Sequence, residues 1–571
     1  MKRISVVFLF PILISACKPA NKSSIQPLDP YTYNIQKKAI AENGAVVSAH
    51  PLASKVGIEI LKQGGNAVDA AIATQLALAV VYPGAGNLGG GGFMIARLAD
   101  GRELAIDYRE MAPGEAHRDM YLDSSGEPRT DKSQDGHSSC GVPGTVAGLF
   151  ASSKFGKLSF DKLIEPAIML AEKGFAISDR EANSLNDLQA DLKQFNTVKP
   201  VFVKETGWNE GDILVQKDLA NTLKRIKEKG EAGFYEGETA RLIVEEMKRG
   251  NGIISVDDLK NYKALLREPH VFAYNSYKII GMPMPSSGGL LLHQMMTMIS
   301  DKNIGAMGFH STRAAQLMIE VERRAFADRA EYMGDADFYK VPVSMLGNDI
   351  YLQKRISDYD SSKATPSGAV KPGYLPKAES EETTHLSVID KEGNAVAVTT
   401  TLNNSYGSRT VVGNAGFFLN DEMDDFSIKP GVPNMYGAIG GEANAIKAGK
   451  RMLSSMAPTI VLKDNKPFLV VGTPGGTTIP TSIFQTLVNV IEFGMTTEDA
   501  VYKPKFHHQW LPDTVYTERN FPDSTKNVLQ KMGYVLLDRS EIGRTEVIKV
   551  LPGGKFEAIA DNRGDDDARG W

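Results

Sequence analysis

An abrupt change of pattern at residue 383 divides this chain into two unequal parts. Residues 358–382 are polar and broken by proline and glycine, which is typical of a flexible linker. Thr383 and Thr384 follow, and the pattern of a β-strand begins with them. Helical patterns dominate before the linker and strand patterns dominate after it. The fold must therefore place a pair of hydroxyl groups at the junction of an exposed linker and a strand.

The part before the linker opens with residues 36–80, which are predicted to be helical from the spacing of their apolar residues. Gly84, Gly86 and Gly89 then match the spacing of a dinucleotide-binding loop. Such a loop needs a strand before it and a helix after it, whereas here a helix precedes and a hairpin follows. We therefore predict a glycine bend in which backbone segments approach each other closely.

The remaining elements follow from local patterns. A hairpin is predicted around Asp100-Gly101, and residues 144–335 are predicted to be mostly helical. Within them, residues 311–334 form the pattern of an amphipathic helix with many charges on its outer face. After the linker, a strand pair turns at 391–394 and a glycine-opened helix covers 475–494. Further strands are predicted at 413–420, 457–464, 466–473, 515–518 and 545–551.

The amino terminus has the pattern of an export signal. Lys2 and Arg3 precede an apolar run that ends at Ala16, and this run is too short for a bilayer span, which needs ~20 residues. Its last residues, Ile-Ser-Ala-Cys, resemble a bacterial lipobox, which predicts cleavage before Cys17 and a lipid on that cysteine. A plain secretory signal with an incidental cysteine is the alternative.

Residues 18–35 are polar and without periodicity, so we expect a tether between the lipid and the folded protein. The sequence thus predicts an exported, periplasmic protein that is anchored to a membrane by lipid. Lys18 stands where some bacterial lipoproteins carry the aspartate of inner-membrane retention, and this favours the outer membrane.

Composition excludes several classes of site. The net charge is −5 with both signs interspersed, so the chain lacks the basic footprint of a nucleic-acid-binding protein. Cys17 and Cys140 are its only cysteines, and a lipidated Cys17 leaves Cys140 as a small structural residue. His507-His508 is interpreted as structural because adjacent histidines point in different directions and no other ligand cluster accompanies them. We expect no metal and no cofactor.

The threonine pair has a chemical interpretation. A threonine hydroxyl is a weak nucleophile that needs an adjacent base. Cleavage of the peptide bond before a threonine frees an α-amine, whose unperturbed pKa is about 7.7–8.0. That amine can accept the hydroxyl proton, so the cut residue becomes nucleophile and base together. Threonine also favours strands for ordinary reasons, so these two residues alone leave a purely structural role open.

Further motifs bring a family resemblance. From about residue 35 to its end the chain resembles the gamma-glutamyltranspeptidases, which are N-terminal nucleophile hydrolases; the similar motifs are NLGGGGFM, AIDYREMAP, PGTVAG, PSSGG, ADRAEYMGD, TTHLSVIDKEGNAVAVTTTLN, MDDFSIKPGVPN, LSSMAPTIV, GTPGG and FHHQWLPD. The resemblance implies an α+β fold, a four-layer αββα sandwich built as one intertwined catalytic unit from two autoproteolytic fragments. The large subunit would be residues 36–382 and the small subunit residues 383–571, after the signal peptide 1–17.

The resemblance also assigns the reacting groups. Self-cleavage is expected between Glu382 and Thr383, with Thr383 as the nucleophile. Thr401 matches the threonine that hydrogen-bonds the amine of the nucleophile. Gly475 and Gly476 match the oxyanion hole, in which backbone N–H groups stabilise the developing negative charge.

The substrate's carboxylate and amine need different partners. Arg109 matches the arginine that binds the α-carboxylate, helped by the hydroxyls of Ser454 and Ser455. The α-amine is expected to bind to three polar groups, which are those of Asn403, Glu422 and Asp425. Tyr436 matches the lid loop of many bacterial family members, whereas Asp424 is interpreted as a structural neighbour.

The implied function is that of a gamma-glutamyltransferase and glutathione hydrolase. Glutathione or another γ-glutamyl compound would be the donor, and water, an amino acid or a peptide would be the acceptor. Two alternatives stay open at this point. One is a related acylase acting on glutaryl or cephalosporin compounds, whose substrates lack the α-amine. The other is an inactive solute-binding lipoprotein.

Overall fold

The computed structural model describes residues 28–370 and 383–571. Cys17 and Glu382 lie outside these ranges, as do residues 371–382 of the predicted linker. The described strands are, in chain order, β1 (Lys38–Ala41), β2 (Gly44–Ser48), β3 (Gly91–Arg97), β4 (Glu103–Tyr108), β5 (Phe175–Ala176), β6 (Ile213–Leu214), β7 (Leu265–Arg267), β8 (His270–Tyr274), β9 (Tyr277–Gly281), β10 (Thr384–Asp390), β11 (Ala395–Thr401), β12 (Thr459–Lys463), β13 (Lys466–Gly472), β14 (Phe506–His507), β15 (Val515–Glu518), β16 (Leu536–Arg539), β17 (Glu546–Val550), β18 (Phe556–Ile559) and β19 (Asp567–Gly570).

The helices surround these strands. They are α1 (Pro51–Lys62), α2 (Ala67–Val81), α3 (Thr130–Gln134), α4 (Thr145–Ser153), α5 (Phe160–Lys173), α6 (Asp179–Asp187), α7 (Gln189–Phe195), α8 (Lys217–Lys229), α9 (Ala232–Tyr235), α10 (Gly237–Gly250), α11 (Val256–Asn261), α12 (Gly288–Ile299), α13 (Thr312–Tyr332), α14 (Val343–Leu346), α15 (Asp349–Arg355), α16 (Thr478–Ile491), α17 (Thr497–Tyr502) and α18 (Asp523–Lys531).

Two seven-stranded sheets form the centre of the molecule. The first has the order β1-β18-β17-β13-β12-β9-β8, and the second has the order β19-β2-β10-β11-β3-β4-β7. Each sheet contains strands from both sides of residue 383. In the second sheet, β10 and β11 lie between β2 and β3, with antiparallel pairing at both borders. The two parts of the chain are therefore intertwined within shared sheets.

The sheets stack face to face and are covered by helices on their outer faces. On β2, Val46 packs with α1 and α2, while its neighbour Val47 points to the core shared with the first sheet. This follows from the two-residue period of a strand. Helices α12 and α16 pack against the opposite face of the first sheet, and α13 packs against α12. The four layers are helix, sheet, sheet and helix, as predicted.

Two local predictions are wrong. Residues 38–41 and 44–48 were expected in a helix but form β1 and β2, because their partners are the distant strands β18, β10 and β19. Residues 413–420 were expected as a strand but make only isolated bridges, for example between Val411 and Phe418. A local sequence pattern does not show that a segment pairs with strands far away in the sequence.

The charges of α13 are also placed differently from the prediction. Glu320, Glu322, Arg323, Arg324 and Arg329 are all buried. The outward side of this helix is covered by later segments of the chain, so its charges need partners. Arg324, for example, donates to Glu320 Oε2 at 2.6 Å and to Asp358 Oδ1 at 2.7 Å. The charged face of α13, which was predicted to face solvent, is therefore a buried polar layer.

The beginning of the predicted linker is packed onto the protein. Besides Asp358, Ser367 is fixed there, and its N–H donates to Asp513 Oδ2 at 2.7 Å. The flexible linker therefore stays a prediction for residues 371–382, which lie outside the described ranges. No helix in the part of the chain that the structure describes is long and apolar enough to cross a membrane.

Candidate active site

Thr383 stands immediately before β10, at one wall of a small cavity. Its side chain is 3% exposed and lines that cavity together with Thr401, the last residue of β11. Thr384 pairs with Thr400 across the two strands, so Thr383 lies beside Thr401. Thr384 itself is buried outside the cavity, and its hydroxyl has no hydrogen-bond partner among the described residues. Strand alternation thus separates the two threonines, as expected.

The glycine bend holds the end of β11 in place. A Cβ on Gly90 would lie 2.1 Å from the carbonyl oxygen of Thr401, so only glycine fits. Asn87 completes the contact, because its Nδ2 donates to Thr401 O at 2.8 Å and its Oδ1 accepts from Gly90 N–H at 3.1 Å. The bend predicted from the sequence therefore positions Thr401 by close backbone packing.

A second glycine turn connects β13 to α16 beside the cavity. Gly475 and Gly476 have φ angles of 132° and 52°, in the region that favours glycine. Neither N–H donates a hydrogen bond to any residue of 28–370 or 383–571, so both amides remain available to an oxyanion. Gly476 lines the cavity of Thr383, whereas Gly475 lines a neighbouring cavity of about 320 Å³. The turn separates the two spaces.

Arg109 is the centre of a buried charge cluster in the same cavity. Its guanidinium donates to the carboxylate of Glu422 and, at 2.5 Å, to Asp425 Oδ2. Glu110 Oε2 lies 3.5 Å from Arg109 Nη1. Burial alone lowers the pKa of Arg109, but these carboxylates outweigh it and raise the pKa above its usual value. Arg109 is thus firmly cationic and already ion-paired.

The carboxylates of the cluster are held in a dry environment. Burial raises the pKa of Glu110 to about 7, although Arg109 opposes the shift. Burial likewise raises the pKa values of Glu422 and Asp425, and the charge of Arg109 offsets this only in part. An ammonium group placed against Glu422 and Asp425 would favour their ionised forms. Asn403 lines the cavity beside them, and its Nδ2 donates to Asp421 O at 3.1 Å.

The loop carrying Tyr436 closes the cavity. The Tyr436 hydroxyl donates to Asn403 O at 2.5 Å, and Asn434 Nδ2 donates to Asp425 Oδ1 at 2.8 Å. Gln509 Nε2 donates to Tyr436 O at 3.0 Å on the other side. The space left is about 20 Å³, whereas one water needs roughly 10–15 Å³. A ligand larger than a water molecule therefore requires some of the lining residues to move.

Asp424 has a role in the same loop. Its Oδ2 accepts from Met435 N–H at 2.8 Å, and its Oδ1 accepts from the Ser133 hydroxyl at 2.5 Å. Asp424 does not line the cavity. It anchors the loop from behind, in agreement with the structural role expected for it.

Ser454 and Ser455 line the cavity as well. Ser454 Oγ accepts from Met456 N–H at 3.1 Å, and Ser455 Oγ accepts from Arg329 Nη2 at 3.1 Å. Arg329 was not among the residues chosen from the sequence, although it lines the cavity as well. Arg329 belongs to α13, whose charged residues were predicted to face solvent. The ADRAEYMGD motif, which contains Arg329, was the sequence feature from which its place in the site could have been predicted.

All but one of the predicted reacting and binding residues meet in this cavity; the exception is Gly475, which stands on its border. Comparison with known proteins then identifies the family. The family model described as gamma-glutamyltranspeptidase matches residues 53–571. The chain belongs to the gamma-glutamyltranspeptidase family.

Individual relatives extend along nearly the whole chain. A glutathione hydrolase proenzyme of Escherichia coli strain K12 is 44% identical over 574 residues, covering 99% of this chain and 98% of the relative. Among solved structures, Helicobacter pylori gamma-glutamyltranspeptidase is 44% identical with a TM-score of 0.56, covering 60% of this chain and 97% of that chain. A cephalosporin acylase from Bacillus halodurans has a TM-score of 0.82 at 24% identity, covering 95% and 99%, which shows a shared fold.

The histidine pair lies apart from this gamma-glutamyltranspeptidase site. His507 bonds to Thr481 Oγ1 and Gln509 Oε1, both at 2.8 Å, and burial lowers its pKa to about 3. His508 is buried too, and burial lowers its pKa to about 4. No cluster of metal-ligating side chains occurs within 28–370 and 383–571. Cys140 is buried, which raises the pKa of its thiol to about 12 and leaves it unreactive.

Proposed function

We propose that this gamma-glutamyltranspeptidase family member is a self-processing glutathione hydrolase and gamma-glutamyltransferase. Thr383 is its nucleophile after cleavage of the Glu382–Thr383 bond. The donor is glutathione or another γ-glutamyl compound, and the acceptor is water, an amino acid or a peptide. The two fragments stay together as a large and a small subunit.

The observation that carries this proposal is the pairing of opposite charges beside a nucleophile. Glu422 and Asp425 line the cavity and suit an ammonium group, while Arg109 and Arg329 line the same cavity and suit a carboxylate. A γ-glutamyl group carries both groups on one carbon, three bonds away from the carbonyl carbon that reacts. Thr383 and Gly476 line the same space, where that carbonyl would lie.

The chemistry follows from these positions. In maturation, the Thr383 hydroxyl attacks the carbonyl carbon of Glu382, and the C–N bond between the two residues breaks, which leaves an ester and a free α-amine on Thr383. Water then hydrolyses the ester, which restores the hydroxyl and leaves a carboxylate on Glu382. In turnover, that amine takes the hydroxyl proton while Thr383 Oγ attacks the γ-carbonyl carbon. The amides of Gly475 and Gly476 stabilise the oxyanion, and the leaving amine departs with a proton. Water or an amine acceptor then releases the γ-glutamyl group.

Two other functions fit the site less well. A glutaryl or cephalosporin acylase would share the fold, but its substrates give Asn403, Glu422 and Asp425 no amine to bind. An inactive solute-binding lipoprotein would not need a nucleophile beside unoccupied glycine amides. The buried carboxylates favour γ-glutamyl substrates, because Arg109 offsets the effect of their burial only in part and an ammonium group would favour their ionised forms.

The function is tested with purified protein lacking residues 1–17 and with glutathione as substrate. We expect glutamate and cysteinylglycine as products, and a γ-glutamyl amino acid when an amino acid is added. Mass spectrometry of the products distinguishes hydrolysis from transfer. Faster turnover of a glutaryl donor than of glutathione would support the acylase, and stoichiometric binding without products would support the solute-binding protein.

Activity is expected to fall as the pH decreases from 9 to 5. The α-amine of Thr383 acts as base only when it is neutral, and its ordinary pKa is about 7.7–8.0. The acidic limb of the kcat/KM profile should therefore follow the protonation of one group, the α-amine, whose pKa is shifted by the neighbouring charges. The rate is measured with γ-glutamyl-4-nitroanilide, together with the fraction of folded protein at each pH. A flat rate across this range, with chemistry limiting, would contradict the amine as base.

For localisation we propose export and attachment to the outer membrane through a lipid on Cys17. Changing Cys17 to serine should abolish lipid incorporation, because the thiol that would carry the lipid is lost. Incorporation of labelled palmitate is the measurement, with Cys140→Ser as the matched control that keeps its label. Equal labelling of wild type and Cys17→Ser would refute lipidation at this residue.

A further inference from the structure

Gln509 lies between the Tyr436 loop (residues 431–440) and the glycine turn of the active site. It is 6% exposed. Its Nε2 donates to Tyr436 O at 3.0 Å, and its Oε1 accepts from the hydroxyl of Thr477 at 2.5 Å. Thr477 follows Gly476 directly and lines the cavity, whereas Gln509 does not. One amide side chain thus joins the loop that closes the cavity to the turn that carries the oxyanion amides.

The neighbours of Gln509 fix the orientation of its amide. Its Nε2 faces two carbonyl oxygens, that of Tyr436 and, at 3.4 Å, that of Leu511, and a carbonyl can only accept. Its Oε1 faces the Thr477 hydroxyl and, at 2.8 Å, Nε2 of His507, and both of these groups can donate. A flipped amide would place oxygen against oxygen at the carbonyls. Both ends of the amide are therefore engaged while the loop is closed.

The segment that carries Gln509 is itself held in place. Trp510 has a φ of 69°, which is uncommon for a residue other than glycine. Such a conformation persists only where the surroundings hold it. Trp510 Nε1 donates to Ser367 O at 3.1 Å and to Val370 O at 2.8 Å. Residues 431–440, in contrast, contain neither helix nor strand, so of the two groups that Gln509 joins the loop is the one expected to move.

The glycine turn needs restraints from outside. Two consecutive glycines are conformationally permissive, yet the N–H groups of Gly475 and Gly476 must point to one place to stabilise an oxyanion. On the helix side, the N–H and the hydroxyl of Thr478 donate to Gly475 O at 2.9 and 2.7 Å. The bond from Thr477 to Gln509 is a further restraint, and it is the one that also depends on the loop.

We propose that Gln509 is a positioning residue that couples closure of the Tyr436 loop to the geometry of the Gly475–Gly476 turn. When the loop opens, Nε2 of Gln509 loses Tyr436 O as its acceptor, the amide can rotate, and Thr477 loses its restraint. When the loop closes over a donor, the amide returns and the oxyanion amides become aligned. This inference rests on the proposed nucleophile and oxyanion amides, and it adds the residue that links enclosure of the donor to the chemistry.

The test is a double-mutant cycle on the protein lacking residues 1–17, with γ-glutamyl-4-nitroanilide as donor. Gln509→Met keeps the length of the side chain but removes both hydrogen bonds, and Thr477→Val removes the hydroxyl alone. For each single variant we expect kcat to fall by ~5–50-fold, the range for losing a buried hydrogen-bond partner. The double variant should lose no more than about twofold beyond Gln509→Met, whereas independent losses would multiply.

Hydrogen exchange of residues 431–440, followed by mass spectrometry, measures opening of the loop directly. Gln509→Met should accelerate this exchange, because the loop loses a bond. Thr477→Val should accelerate it too, because coupling is reciprocal, although the hydroxyl that it removes binds Gln509 and not the loop.

Gln485→Met is the matched control. Gln485 is a buried glutamine that holds the same segment, since its Nε2 donates to Phe506 O at 2.6 Å and its Oε1 accepts from Phe506 N–H at 3.1 Å. It does not line the cavity and does not bind the loop. We expect a lower unfolding temperature for this variant, with unchanged loop exchange and a change in kcat of less than about threefold.

Three results would overturn the inference. They are losses in kcat that multiply in the double variant, loop exchange that is unchanged in Thr477→Val, and equal effects of Gln485→Met and Gln509→Met. If Gln509→Met does not fold, the loop exchange of Thr477→Val decides alone. An unmodified protein that cleaves itself but does not turn over the donor contradicts the proposed function instead, and the exchange experiment then still tests the link between turn and loop.

Discussion

Changing Thr383 to alanine is expected to yield a single uncut chain with no measurable turnover. The hydroxyl is the nucleophile both for self-cleavage and for the donor, so both reactions lose their attacking atom. By analogy with other nucleophile deletions we expect kcat to fall by ~10⁴-fold or more. Intact-mass spectrometry of the protein lacking residues 1–17 gives the first result, and the anilide assay gives the second.

Thr384 provides the matched control for this experiment. Its hydroxyl is buried without a partner among the described residues, and its side chain is excluded from the cavity. Thr384→Val keeps the shape and removes an unsatisfied polar group, which costs little or nothing. This variant should still be cut before Thr383 and remain active. Cleavage of Thr383→Ala, or a fragment that begins at residue 384, would refute Thr383 as the nucleophile.

Changing Asp425 to alanine should abolish most turnover of γ-glutamyl-4-nitroanilide and leave self-cleavage intact. Asp425 accepts from Arg109 and from Asn434 in the ligand-free protein, and an incoming amine would join these donors. Loss of one buried charge partner costs about 2–5 kcal/mol, so kcat/KM should fall by a factor of about 30 to 4,000. Steady-state kinetics measures the fall, and electrophoresis of the two fragments verifies processing.

Glutaryl-4-nitroanilide serves as the control substrate for Asp425→Ala. This donor has the carboxylate but no amine, so removing Asp425 should lower its turnover by less than about tenfold. The ratio of the two donors therefore isolates the contact with the amine from general damage to the site. An equal loss for both donors, or equal activity of wild type and variant, would contradict the assignment of Asp425.

Local patterns predict the elements whose partners are close in sequence. The hairpin of β3 and β4 and the pair of β10 and β11 follow from alternation around short turns. The start of β10 at Thr384 also follows, because the linker ends in polar residues that cannot continue a strand. The position of the candidate nucleophile could thus be predicted from the sequence. The family resemblance then favoured a nucleophilic role for Thr383 over a purely structural one.

Distant pairing and burial could not be read in this way. The strands β1 and β2 take their partners from the far end of the chain, so residues 38–48 look helical when taken alone. Arg329 has the spacing of a solvent-facing helical residue, and only the covering of α13 by later segments buries it. The closure of the cavity by the Tyr436 loop likewise depends on contacts between residues far apart in sequence.

Because each sheet contains strands from both parts of the chain, cutting the chain changes the molecularity of folding. Before the cut, β10 and β11 reach their places between β2 and β3 as parts of one molecule. Afterwards, neither fragment retains a complete sheet of its own, so dissociation and unfolding become a single event. Reassembly then becomes a second-order reaction whose equilibrium depends on protein concentration. Maturation is therefore a one-way step: the enzyme is assembled as one chain and persists as two.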